Sequence, residues 1–389
     1  AAVLSKRKPF VVYTAHGFHF FQGAPVKNWL FYYPAEKVLA KFSDIIITIN
    51  HEDYTRADKF HYKKDGGAAL IPGVGVDLEK FYPLKEDEVH ERDTLRKNLG
   101  IPEHAFHIVS AGEINKNKNH RVVIEAIAKL ARSDIYYSIC GEGPNRKNLE
   151  TEIKKYGLSD RVFLQGYRND MPKIWRTADM SVFPSLREGM GMAGLEAMAS
   201  GIPLIAADNR GTREYLIDQE NGLVCNAASA DEFAKAILSL YENKEQRQRY
   251  AARAQNTVKK FSLHESAAKM SLIYQKLPKV PEVTIENDRE RPMISVIMGV
   301  YNQQDLEVFE KAVNSVLQQT YRNFEFLIYN DGSSIKKVNT YMKELESKDS
   351  RIRVIGSKAN HGLGYALNQC IASARGKYLA RMDADDISH

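Results

Sequence analysis

Short apolar runs recur along the first two thirds of the chain, and between them lie stretches whose apolar positions return every three or four residues. FVVYTA, DIIITIN and AALIPG come first, with NWLFYYPAEKVLAKF between the first two. HIVSAG, IYYSICG, RVFLQG, MSVFPS, PLIAAD and NGLVCN follow, spaced by NHRVVIEAIAKLAR, NRKNLETEIKKYG, MPKIWRTA and GLEAMAS. Runs that are apolar throughout are strands covered on both faces, and the longer period marks helices lying on them. This alternation predicts parallel sheets between helices, which hold ligands at the carboxyl ends of their strands. Residues 229–277 turn polar and periodic, which predicts two closing helices.

The pattern then breaks. LPKVPEVTIENDRERP carries three prolines between runs of charge, which reads as a linker over 278–292. MISVIMGVYN opens a second α/β unit over 293–389, continued by FEKAVNSVLQQ, FEFLIYND, RIRVIG, YALNQCIASA and KYLARMDADD. A chain of 389 residues exceeds what one core supports, so more than one packed unit is expected on length alone.

Charge adds little: 55 basic against 49 acidic residues leave +6. That suits anionic small molecules or an acidic lipid surface and is too weak for nucleic acid. Cys140, Cys225 and Cys370 are far apart and have no metal-ligand spacing, so buried reduced thiols and a cytoplasmic setting are expected. No apolar run approaches the roughly 20 residues that cross a bilayer. The N-terminus has neither an initiator Met nor the order of a signal peptide, and reads as the start of a chain already inside a domain.

The candidate chemistry lies in the loops after strands. In REGMGMAGLE, Gly189 and Gly191 fall at a strand-to-helix turn, where the amides around Met190 face an incoming diphosphate. Glu188 on the loop and Glu196 in the helix are acceptors suited to sugar hydroxyls. Lys118, flanked by Asn117 and Asn119, follows HIVSAG and can neutralise a leaving diphosphate. Gly141, Gly143 and Gly166 mark strand-end turns where a base or ribose fits. His16 and Gly17 close the first strand, with His19 near. Each signal alone has a bland reading as a turn glycine, solvated charge or packed histidine; their coincidence favours a nucleotide-sugar site.

Taken together, AHGFHF, PGVGVD, GEINKNKNH, GEGP, FLQGYR and EGMGMAGLE resemble the retaining GT-B glycosyltransferases of family 4, specifically bacterial exopolysaccharide enzymes, over roughly residues 9–277. The resemblance implies two Rossmann-like domains, with 1–70 the remnant of an acceptor-side domain whose first strands precede Ala1, and 71–277 the nucleotide-sugar domain. It implies that His16 and Glu188 contact the donor sugar, Glu196 the ribose, and Lys118 the phosphates, without a metal. Glu113 stands where that family more often has an arginine, which leaves Arg187 or backbone amides to share the phosphate charge. A UDP-linked donor and a lipid-linked saccharide acceptor are also implied by the resemblance.

The second unit resembles the amino-terminal half of an inverting GT-A glycosyltransferase of family 2. By that resemblance Tyr301, Asn302 and Asp331 lie near the base or ribose, and Asp383 and Asp385 of RMDADD hold Mg2+ or Mn2+ on the diphosphate. The family's catalytic base would follow His389, so no transfer by this unit is expected from the present stretch. KRK, HGFHFF and KNWLFYYP are read either as a peripheral contact with the inner face of the plasma membrane or, for Trp29, Phe31 and Tyr32, as a core face. The rivals are a catalytically inactive nucleotide-sugar-binding or scaffold protein of a polysaccharide assembly complex, and a dinucleotide oxidoreductase, which the lack of a full GxGxxG fingerprint disfavours.

Overall fold

The computed structural model describes residues 10–275, 292–303 and 305–386. The chain divides into two compact units, with the boundary in sequence between Pro278 and Lys279. The linker expected over 278–292 lies outside the described residues apart from Pro292.

The first unit begins with β1 (Val12–Ala15), α1 (Val26–Ala40), β2 (Ile45–Thr48), α2 (His51–Ala57) and β3 (Gly67–Leu70). The strands form a parallel sheet in the order β1-β2-β3, with Val12 opposite Ile45 and Ile45 opposite Gly67. Trp29 and Tyr33 of α1 pack on Phe20 and join Phe18 and Phe60 in an aromatic cluster. Leu30 and Phe31 face solvent, 67% and 74% exposed. The alternatives for α1 therefore divide: Trp29 belongs to the core, and Phe31 does not. α2 has no apolar period to betray it. It starts because the Asn50 side chain accepts from the Asp53 amide at 2.8 Å, an N-cap.

The unit continues through α3 (Val89–Asn98), β4 (Phe106–Ala111), α4 (His120–Leu130), β5 (Ile135–Cys140), α5 (Arg146–Lys155), β6 (Val162–Gly166), α6 (Met171–Trp175), β7 (Met180–Phe183), α7 (Met192–Ala199), β8 (Leu204–Ala207) and β9 (Leu223–Cys225). The six strands are parallel, in the order β6-β5-β4-β7-β8-β9. Phe106 sits opposite Ile135, and Ile108 opposite Met180. Numbered within this sheet, the order is 3-2-1-4-5-6, so the winding reverses between β4 and β7 and a crevice opens at their carboxyl ends. β4, β7 and β8 are buried almost throughout, as strands covered on both faces must be. α3 escaped the sequence reading because its residues are largely polar; its Arg96 is buried and donates to the carbonyls of Thr177 and Ala105.

Three closing helices stand where two are expected: α8 (Ala230–Glu242), α9 (Lys244–Val258) and α10 (Leu263–Gln275). Asn243 separates the first two. Its extended backbone ends α8, while its side chain accepts from the Gln246 amide at 2.9 Å and starts α9.

The second unit comprises β10 (Ile294–Val300), α11 (Leu306–Leu317), β11 (Phe324–Asp331), α12 (Lys336–Lys348), β12 (Ile352–Ser357), α13 (Leu363–Ser373) and β13 (Tyr378–Arg381). Its parallel sheet runs β12-β11-β10-β13, so the winding again reverses, here between β10 and β13. The three cysteines are free and buried, and burial pushes the thiols of Cys140 and Cys225 up to about 12 and that of Cys370 up to about 11. No helix among the described residues is long and apolar enough to cross a membrane.

Candidate functional site

The crevice between β4 and β7 receives one loop from each strand. Lys118, two residues before the start of α4, lies 2.7 Å from Glu188 Oε1 on the loop leaving β7, with the two side chains 21% and 14% exposed. This pair joins residues seventy positions apart. The Lys118 stem lies along Gly112, and its ammonium stands over the Phe183 ring. A half-buried lysine and carboxylate at this position can exchange each other for a phosphate and a sugar hydroxyl.

The loop bearing Glu188 is held carbonyl by carbonyl. Asn117 Nδ2 donates to the Arg187 carbonyl at 2.9 Å, Arg210 Nε to that of Glu188 at 3.2 Å, and Asn50 Nδ2 to that of Gly189 at 3.0 Å. Asn119 and Asn209 likewise donate to the carbonyls of Pro184 and Ser185. Gly189 is a glycine for a specific reason: a Cβ there would lie 1.9 Å from the His16 carbonyl oxygen. The His16 ring is exposed, and the loop is thereby set against the end of β1. Gly191 begins α7 at φ +89, where a Cβ would meet the Phe183 ring at 2.7 Å. Met190 is buried, its side chain in the core against Gly73. At Gly189 the close neighbour is thus the protein's own backbone.

Glu196 lies in the second turn of α7, half-buried, and burial pushes its carboxyl up to about 7. The Trp175 indole offsets part of this, at a geometry short of a full hydrogen bond. Gly141 and Gly143 face the preceding loop: a Cβ would fall 2.0 Å from the Gly112 carbonyl and 2.5 Å from that of Ile114. Gly141 also donates to the Gly166 carbonyl at 2.7 Å. These glycines shape the crevice wall by backbone contact. Glu113 is exposed at the rim and accepts from Asn115, while Arg187, also exposed, stands over the Phe21 ring. Asn50, Asp53 and Arg210 were not singled out from the sequence. Their signal is a capping pattern in a polar stretch, and nothing local pairs positions 53 and 210.

In the second unit Tyr301 is exposed at the end of β10, and Asn302 Oδ1 accepts from the Ser334 amide at 2.7 Å. Asp331 is buried, and its carboxylate accepts from the amides of His361 at 3.0 Å and Gly362 at 2.8 Å. The carboxylate thereby holds the turn before α13. Asp383 is paired with Arg381 at 2.8 Å, and Asp385 is exposed. Among the described residues no group of three or more His, Cys, Asp or Glu side chains gathers to hold a metal ion. Two carboxylates fit Mg2+ or Mn2+ only where substrate phosphates complete the shell.

A family described as glycosyl transferases group 1 matches residues 91–257, and glycosyl transferase family 2 matches residues 295–389. "Putative glycosyltransferase EpsD" of Bacillus subtilis (strain 168) is 40% identical over 266 residues, spanning 68% of this chain and 69% of that one. The chain belongs to the group 1 glycosyltransferases. The Escherichia coli UDP-Gal:alpha-D-GlcNAc-diphosphoundecaprenol alpha-1,3-galactosyltransferase is 30% identical to this glycosyltransferase over 241 residues, 61% of each chain. The chain thus spans between about three fifths and seven tenths of these relatives' length. Among solved structures, Anabaena HepE in complex with UDP and glucose matches 69% of this chain and 72% of that one, with a TM-score of 0.61 and 21% identity. Sucrose-phosphate synthase from Thermosynechococcus elongatus matches 68% and 67%, with a TM-score of 0.57 and 23% identity. At such identities the likeness is one of fold, the GT-B arrangement.

Proposed function

We propose that the first unit transfers a sugar from a UDP-sugar to a saccharide acceptor with retention at the anomeric carbon, in the assembly of an exopolysaccharide or related surface polymer. The observation that carries this reading is the Lys118–Glu188 pair at 2.7 Å across the switch-point crevice. On donor binding Lys118 turns to the diphosphate together with the first amides of α7, where developing negative charge is best met by fixed donors. Glu188 and the neighbouring His16 hold the sugar hydroxyls, and Glu196 the ribose. The bond from the anomeric carbon to the diphosphate oxygen breaks, the acceptor oxygen bonds on the same face, and its proton passes to the departing diphosphate.

A lipid-linked acceptor is supported by the E. coli relative, whose name specifies a diphosphoundecaprenol acceptor. The exposed Leu30 and Phe31, with Lys27 nearby, would suit an acidic membrane surface on the cytoplasmic side. For the second unit the proposal is limited to Asp383 and Asp385 holding a divalent cation with a nucleotide diphosphate, the cation neutralising phosphate charge. The test of the transfer reading is proton NMR of the product formed from a UDP-sugar of α configuration. An α-linked product is expected; a β-linked product overturns retention.

A further inference from the structure

Arg210 and Asp53 form an ion pair out of reach of water: Nη1 to Oδ1 is 2.7 Å, with side chains 5% and 0% exposed. Replacing such a pair by apolar side chains is often neutral or stabilising, so stability alone is a poor reason for it. Its geometry offers another. The three edges of the guanidinium reach three segments: Nη1 the Asp53 carboxylate at the start of α2, Nη2 the Phe18 carbonyl after β1 at 2.8 Å, and Nε the Glu188 carbonyl at 3.2 Å. Asp53 in turn accepts from the Phe18 amide at 3.1 Å and from Asn50 Nδ2 at 2.9 Å, and that same Asn50 amide holds the Gly189 carbonyl. Space for this arrangement is made by Gly17, where a Cβ would lie 2.8 Å from Arg210 Nη2, and by Gly211, where one would lie 2.8 Å from the Glu188 Cβ.

The carbonyls of Glu188 and Gly189 are therefore tied to the small sheet by one charged and one amide side chain, while the Glu188 carboxylate faces Lys118. We infer that Arg210, held in place by Asp53, is the positioning residue that sets Glu188 against the donor sugar. The inference rests on the reading of Glu188 as a donor-sugar contact. It implies a selective defect: loss of grip on the sugar, with the grip on UDP kept, since Lys118 and Glu196 stand on other elements.

The test is calorimetric titration of the chain with UDP and with UDP-glucose, UDP-galactose and UDP-N-acetylglucosamine. The chain is expected to prefer one UDP-sugar over UDP, and Glu188→Gln to abolish that preference. Arg210→Lys keeps the charge and loses the Nε–H contact; it is expected to cut the preference about tenfold or more while UDP affinity stays within about threefold. Asp53→Asn, which keeps shape and removes charge, is expected to act in the same direction and carries the test if Arg210→Lys fails to fold by circular dichroism. Variants that melt earlier yet keep the preference overturn the inference and leave the function reading standing. Retention of the preference in Glu188→Gln, or no preference in the unaltered chain, overturns both.

Discussion

Replacing Gly189 by alanine adds one carbon 1.9 Å from the His16 carbonyl oxygen, 3.0 Å from the His16 carbonyl carbon and 3.3 Å from Ile49 Cδ1. Such carbons essentially never approach closer than 3.0 Å, so the two backbones must part by at least 3.0 − 1.9 = 1.1 Å. Neither can yield freely. The residues after His16 are fixed at Phe18 by Asp53 and Arg210, and the other side is fixed at Arg187, Glu188 and Gly189 by Asn117, Arg210 and Asn50. The strain should fall on these contacts and displace Glu188 from Lys118. A misplacement of about 1 Å at a substrate-positioning group costs on the order of 100-fold in rate, about 2.7 kcal/mol of transition-state stabilisation. Overpacking should cost about 1–3 kcal/mol of stability, which the fold can bear. The assay is initial-rate UDP release from the preferred UDP-sugar, with circular dichroism melting alongside. Gly67→Ala is the control, since a Cβ there meets nothing within 4 Å. A Gly189→Ala protein that turns over as fast as the Gly67→Ala protein would refute the reasoning.

Glu196 keeps its proton up to about pH 7 in the folded chain against an ordinary value of 4.5, so between these values the native state binds more protons and stability falls as pH rises. Glu196→Gln should remove that slope and, allowing for the carboxyl's partial exposure, stabilise the chain at pH 8 by about 1–2 kcal/mol. It should also weaken UDP binding; melting from pH 5 to 8 and UDP titration check both. Asp331→Ala leaves the His361 and Gly362 amides without their acceptor and should cost about 1–3 kcal/mol in the second unit. Both tryptophans, Trp29 and Trp175, lie in the first unit, so the unfolding transition should shift by far-ultraviolet circular dichroism and not by tryptophan fluorescence.

The alternation of strand and helix was legible because buried parallel strands such as IIIT and IYYSIC must be apolar on both faces. Lys118 and Glu188 were legible because each follows such a strand, and the winding order then brings the two loops together. Less legible was everything set by tertiary contact. α2 and α3 carry polar sequences whose helices depend on the Asn50 cap and on Arg96 bonding distant carbonyls. Gly141 and Gly189 read as ligand turns, while the structure gives their close neighbours as Gly112 and His16. Asp53 and Arg210 stand 157 positions apart, and no local spacing announces such a pair.

The central claim is that donor chemistry belongs to the Lys118–Glu188 crevice. The most direct measurement is UDP release from the preferred UDP-sugar in EDTA, by the unaltered chain and by Glu188→Gln. The account predicts release that persists without divalent cation and falls about 100-fold or more in Glu188→Gln. Release that requires divalent cation and survives Glu188→Gln would contradict it.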